Sequence, residues 1–165
     1  MNSSNIISYY RNFIFGVEDS LVSTVGLLSG ITIAGVSRET ILLTGTVLIF
    51  VEAISMGAGS FLSESSAEIY ENHLEGPTRR SYFDAIIMFI SYSISGFIPL
   101  LPYVLLPQNT AFWTSIGLSL ATLLLLGIFG AEVSKTKIWK NTARMVLIGG
   151  SAIAVGSFVG RMFGL

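Results

Sequence analysis

The chain has no cysteine and a single histidine, His73, among 165 residues. Without thiols there is no disulfide framework and no thiolate metal site, and the redox compartment stays open. One histidine leaves most hydrolase and haem arrangements without their parts. GxSxG, P-loop, HExxH and GxGxxG patterns are also missing, so no nucleophile and base pair marks an enzyme and nothing calls for a resident cofactor. Charge is scarce: Asp, Glu, Lys and Arg make up 12% of the chain against 52% hydrophobic residues, far from an ordinary soluble domain. A net charge of -1 gives nucleic acid no footprint. The opening MNSSNIISYYRN lacks a basic segment followed by a small-residue cleavage site and reads as mature protein. What remains is an integral, multi-pass membrane protein, with residues 1–165 forming a single transmembrane domain in the lipid bilayer.

Five apolar stretches, 13–36, 41–62, 82–106, 111–130 and 145–163, each approach the length needed to cross a bilayer as a helix, roughly 20 residues. The fold class expected is all-α, with five transmembrane helices. Arg11, Arg79, Arg80, Lys135, Lys137, Lys140 and Arg144 fall on one side and only Arg38 and Arg161 on the other. That bias puts the amino terminus in the cytoplasm, and an odd number of spans puts the carboxyl terminus on the opposite face. Tyr9, Tyr10, Tyr82, Tyr103, Trp113 and Trp139 cluster at the predicted span ends, where amphipathic rings suit the headgroup layer.

Charges at membrane depth cost about 2.5–3.5 kcal/mol each on insertion scales, so Asp19 and Glu52 are the most informative residues. Asp19 and Met56 lie similarly far from the cytoplasmic ends of antiparallel spans, about 9 Å deep at about 1.5 Å per residue. Glu52 sits one turn further in than Met56 on the same face. Carboxylates with a thioether form a mixed donor set that tilts selection towards transition metals, with ferrous iron or manganese fitting, and away from magnesium and calcium. A single chain offers few ligands, so a symmetric homodimer would complete coordination more readily, and a carboxylate at this depth could exchange metal for protons. Each residue also has a plain structural reading: Glu52 as a protonated interhelical donor, Asp19 as a helix cap, Met56 as packing.

The one substantial connection is an acidic cytoplasmic segment over 63–81. Glu64, Glu68, Glu71 and Glu75, at steps of four, three and four, would line one face of a helix continuing from the second span, with His73 beside them. This reads as a solvated acidic face or as a cytoplasmic metal-capture cluster. Asp84 reads as a surface ion-pair partner of Arg79 and Arg80. GLLSG (26–30) and GSFVG (156–160) suit tight helix crossings, and Pro99 and Pro102 should kink the third span.

FGVEDSLVSTVGLLSGI, VEAISMGAGSFLSESS, GFIPLLPY and VGRMFG, in this order along the whole chain, resemble the vacuolar iron transporter family in its small prokaryotic form. The resemblance implies a five-helix homodimer, in the prokaryotic plasma membrane, that moves ferrous iron and often manganese out of the cytosol in exchange for protons along a path at the dimer interface. It places metal-path roles on Asp19 and Met56. A second first-span aspartate of the family falls on Asn12, the glycine after the main aspartate on Ser20, and the glutamate after SMxxG on Ser60. A further second-span glutamate of plant members falls on Leu48, and Glu52 is positioned to stand in for it. The long glutamate-rich cytoplasmic domain of many members is reduced here to about residues 64–80. A channel of the same architecture and a non-transporting membrane scaffold are the alternatives.

Overall fold

The computed structural model describes residues 3–73 and 76–164. All regular structure among them is helical: α1 (Ser3–Ile33), α2 (Arg38–Asn72), α3 (Arg79–Leu105), α4 (Gln108–Val133) and α5 (Ile138–Phe163). All five are long and apolar enough to cross a membrane. They outrun the apolar stretches because a helix need not stop where hydropathy does; polar turns stay helical where water or other helices satisfy their side chains. The segment expected as a connection over 63–81 is accordingly helical through Asn72, and Thr78 then caps α3 by accepting from the Arg80 N–H at 3.2 Å.

The other turns are equally tight. Gly35, at φ +82°, takes the left-handed conformation that ends α1, and Ser37 caps α2 through the Thr40 N–H. Arg38 reaches across to the end of α3, donating to the Tyr103 carbonyl at 2.6 Å and the Val104 carbonyl at 2.5 Å. A cation thereby meets the orphan carbonyls and the negative end of that helix dipole.

α1 and α3 form the centre. Leu28, Ile41, Ile49, Leu100, Tyr103 and Ala111 make one buried cluster; Leu21, Leu123, Leu126 and Met145 make the other. α5 is peripheral and buries only Met145, Gly149 and Gly160. Its hold on α1 comes through small residues: a Cβ added at Gly30 would lie 2.7 Å from the Gly156 carbonyl oxygen, and Cβ atoms at Gly156 and Gly160 would fall on the carbonyls of Gly26 and Gly30. The two GxxxG segments therefore cross each other, backbone on backbone. Ile54, Leu101, Leu125, Val155 and Phe158 point outward, as a lipid-facing surface requires.

One aromatic departs from the interfacial expectation. Tyr103 is buried, with its hydroxyl accepting from Thr32 at 2.9 Å, because α3 continues past Pro102 and carries the ring into the core. Trp113 and Trp139 are exposed at helix starts, as interfacial anchors should be.

Candidate functional site

Asp19 on α1 and Glu52 on α2 are both half-buried and lie within Coulombic reach of each other. A third helix joins them. The buried Tyr92 of α3 donates its hydroxyl to Glu52 Oε2 at 3.2 Å and shares a 2.7 Å hydrogen bond with Ser23, one turn from Asp19. The backbone behind it is fixed as well, since Ser20 Oγ donates to the Tyr92 carbonyl at 2.7 Å. Gly96, one turn further along α3, makes this close approach possible: a Cβ there would meet Ile49 at 2.7 Å and Ser20 at 2.8 Å. Tyr92 is absent from the sequence-derived site. Its signal was a tyrosine in the middle of a span rather than at the headgroup level.

Met56 follows Glu52 by one turn on α2 but lines different space. It opens on a cavity of about 310 Å³ between α1, α2 and α3, together with Arg11, Asn12, Ser60, Glu64 and Met88. Asp19 opens instead on a groove of about 470 Å³ between α1 and α5, walled by glycine and aliphatic side chains. One chain therefore brings Asp19 and Glu52 together and leaves Met56 on a separate cavity. Among the described residues no group of three His, Cys, Asp or Glu side chains is placed to hold a metal ion.

The basic end of the bundle, where α2 ends and α3 begins, carries a buried polar network. Asn12 Nδ2 donates to Asp84 Oδ1 at 2.8 Å and to the Ser8 carbonyl at 3.1 Å, while its Oδ1 accepts from Ser60 at 2.8 Å. Asp84 is fully buried and also accepts from Ser8 at 3.0 Å, with Arg80 Nε at 3.8 Å. The surface reading of Asp84 is thus corrected. α1 packs over the start of α3, so the carboxylate faces inward, and hydrogen bonds offset its desolvation.

The acidic segment divides in the same way. Glu64 forms an ion pair with Arg11, and Glu68 accepts from Thr78 and Ser81, each at 2.6 Å, with Arg80 at 3.7 Å. Both glutamates are buried, so this part of the helix face is packed rather than solvated. Glu71 and His73 are exposed beyond the contact, and Glu75 lies outside the described residues.

Five membrane-length helices, two of them carrying half-buried carboxylates at Asp19 and Glu52, define a multi-pass membrane protein. The model of the VIT family matches over residues 10–81 and 69–161, and the chain belongs to that family, the vacuolar iron transporters. It is similar to vacuolar iron transporter homolog 4 of Arabidopsis thaliana, 27% identical over 89% of this chain and 80% of the relative. Homolog 3 of the same plant is 26% identical over 89% and 79% of the two chains, and its vacuolar iron transporter 1 is 25% identical over 87% and 82%. The family is one of metal transporters rather than enzymes.

Proposed function

We propose that this protein carries ferrous iron, and manganese beside it, out of the cytosol in exchange for protons, as a symmetric homodimer in a prokaryotic plasma membrane with its amino terminus in the cytoplasm. The observation that carries this reading is the Asp19–Glu52 pair, two carboxylates from facing helices within Coulombic reach inside an apolar bundle. Two negative charges in a poorly polarisable setting repel, and either a divalent cation or protons relieve the repulsion. A site that alternates between those occupants moves protons one way whenever it moves metal the other. Tyr92 holds one Glu52 oxygen and leaves the other for the cation. The Met56 thioether, on its own cavity one turn towards the basic end, offers a soft donor along the way that favours ferrous iron over magnesium. Among the described residues too few ligands converge within one chain, which supports a two-fold arrangement in which a second copy supplies the rest.

The test is ferrous and manganous ion flux into proteoliposomes with and without an imposed pH gradient, with internal pH recorded at the same time. Antiport requires uptake that follows the gradient, counter-movement of protons, and loss of both in folded Asp19→Asn or Met56→Leu protein. Flux indifferent to the gradient would make it a channel. No flux from a verified dimer would leave a scaffold.

A further inference from the structure

All three lysines of the chain, Lys135, Lys137 and Lys140, lie within six residues, where α4 turns into α5. Between residues 85 and 165 the sequence holds one acidic residue, Glu132. The lysines are exposed, and among the described residues none of them forms an ion pair. Three arginines of the same end are matched by carboxylates: Arg11 meets Glu64, Arg80 meets Glu68 and Asp84, and Arg144 lies within Coulombic reach of Glu18. The unmatched positive charge of this end is therefore concentrated on the turn. Turn geometry does not ask for it, since Lys135 takes a left-handed backbone, φ +52°, that suits glycine better. Neighbouring ammonium groups repel one another, and an anion set between them relieves the repulsion. Apolar side chains stand among these charges: Ile138 is exposed, and Trp139 is 71% exposed. An acidic protein or a nucleic acid would meet the lysines and leave these side chains in water. A bilayer offers a negative headgroup layer and hydrocarbon side by side, which is what lysine stems and an interfacial tryptophan require.

We propose that the α4–α5 turn binds anionic phospholipid, with Lys135, Lys137 and Lys140 on the headgroup phosphate and Ile138 and Trp139 in the adjoining acyl region. Exposed Ser134 and Thr136, which alternate with the first two lysines, bring hydroxyl donors to the same phosphate. The site bears on the hold of α5, the helix that buries only Met145, Gly149 and Gly160. Near the turn its polar tie to the bundle is Asn141 Nδ2, donating to the Gly127 carbonyl at 2.8 Å, while the Tyr10 hydroxyl secures the end of α4 through the Gly130 carbonyl at 3.2 Å. A phosphate held between Lys135, just past α4, and Lys140, on α5, adds a tie across the turn. Neither the ion carried nor the direction of transport enters this reading.

The test uses the two tryptophans as reporters at opposite ends of the bundle, Trp139 at the start of α5 and Trp113 near the start of α4. Full-length Trp113→Phe protein, with Trp139 as its single tryptophan, is reconstituted in mixtures of phosphatidylglycerol and phosphatidylcholine in which one lipid or the other carries brominated acyl chains. Fluorescence quenching then gives the relative affinity of the two lipids at that ring. We expect phosphatidylglycerol to be favoured at Trp139 by at least about three-fold at low ionic strength, and by less as salt is added. Lys135→Gln, Lys137→Gln and Lys140→Gln together should bring the ratio to about one, whereas the three corresponding Lys→Arg changes should keep it. Trp139→Phe protein, reporting from Trp113, should show no such preference. Hydrogen exchange over residues 134–141 should be slower in phosphatidylglycerol than in phosphatidylcholine, and the triple Gln variant should lose that difference. Equal affinities at Trp139, or a preference that the triple Gln variant keeps, overturns the site. Should that variant not fold, the same preference at Trp113 as at Trp139 decides against it. Quenching of Trp139 by neither brominated lipid also overturns it, and would leave the turn to an acidic macromolecule.

Discussion

The α1–α5 crossing can be tested by adding a single methyl group. Gly156 and Gly150 lie on the same helix, six residues apart and on different faces, so a Cβ at Gly156 falls on the Gly26 carbonyl oxygen, while one at Gly150 meets nothing within 4 Å. Gly→Ala contributes the same backbone term at both sites, up to about 1 kcal/mol in favour of the helix. That term cancels in the comparison. What remains is the overpacking cost at Gly156, where the obstructing atom is backbone and can be relieved only by moving α5 away from α1. Inserted methylenes in tight contacts cost about 1–3 kcal/mol, so Gly156→Ala should be less stable than Gly150→Ala by that amount. Because Gly160 meets the next carbonyl in the row, Gly160→Ala should match Gly156→Ala. Sodium dodecyl sulfate titration of the protein in mixed micelles reads the difference, with retained helicity checked by circular dichroism. Equal stabilities for the Gly150 and Gly156 variants would refute the backbone-on-backbone crossing.

Asp84→Ala should cost about 3–5 kcal/mol because it strands Ser8 and takes a partner from Arg80, whereas Asp84→Asn, which keeps an acceptor for Asn12, should cost less, about 1–3 kcal/mol. The same titration measures both, and losses below about 0.5 kcal/mol would return Asp84 to a surface role. Arg38→Met should free the last carbonyls of α3 and raise hydrogen exchange in that turn, with about 1 kcal/mol lost; unchanged exchange would mean the Arg38 contacts carry no weight. Tyr92→Phe removes the donor on Glu52, so the cation should be held about two- to ten-fold more tightly and released more slowly, with KM and kcat falling together in flux assays. A higher KM would assign the Tyr92 hydroxyl to the cation instead.

Hydropathy located all five helices, since nothing else in a chain this apolar satisfies its backbone in lipid. The two GxxxG segments were legible as crossing points, and their partnership followed once α1 and α5 were neighbours. Asp19 and Glu52 were legible from their cost alone. Periodicity names a face of a helix but not the helix opposite it. Asp84 was therefore read as surface charge, and Glu64 and Glu68 as a solvated face or a metal-capture cluster, when α1 and the start of α3 cover them, and Tyr92 and Met88 went unnoticed because α3 carried no charge at membrane depth.

The neutral residues at Asn12 and Ser60, where acidic residues were expected, acquire a sense from this packing. Negative charge has not left the region but sits at other positions: Asp84 on α3 holds the Asn12 amide, and Glu64 stands one turn beyond Ser60 on α2. The ion pairs here join Glu64 to Arg11, and Glu68 and Asp84 to Arg80. Ser8 and Asn12 donate to Asp84, and Thr78 and Ser81 to Glu68, so hydrogen bonds offset the desolvation of both carboxylates. Glu64 is held differently, by an ion pair with Arg11, whose side chain stands mostly in solvent. Hydrogen bonding thus separates the three: Asp84 and Glu68, wrapped in neutral donors, tie α1 and α2 to the start of α3, while Glu64 joins α2 to α1 through an exposed guanidinium.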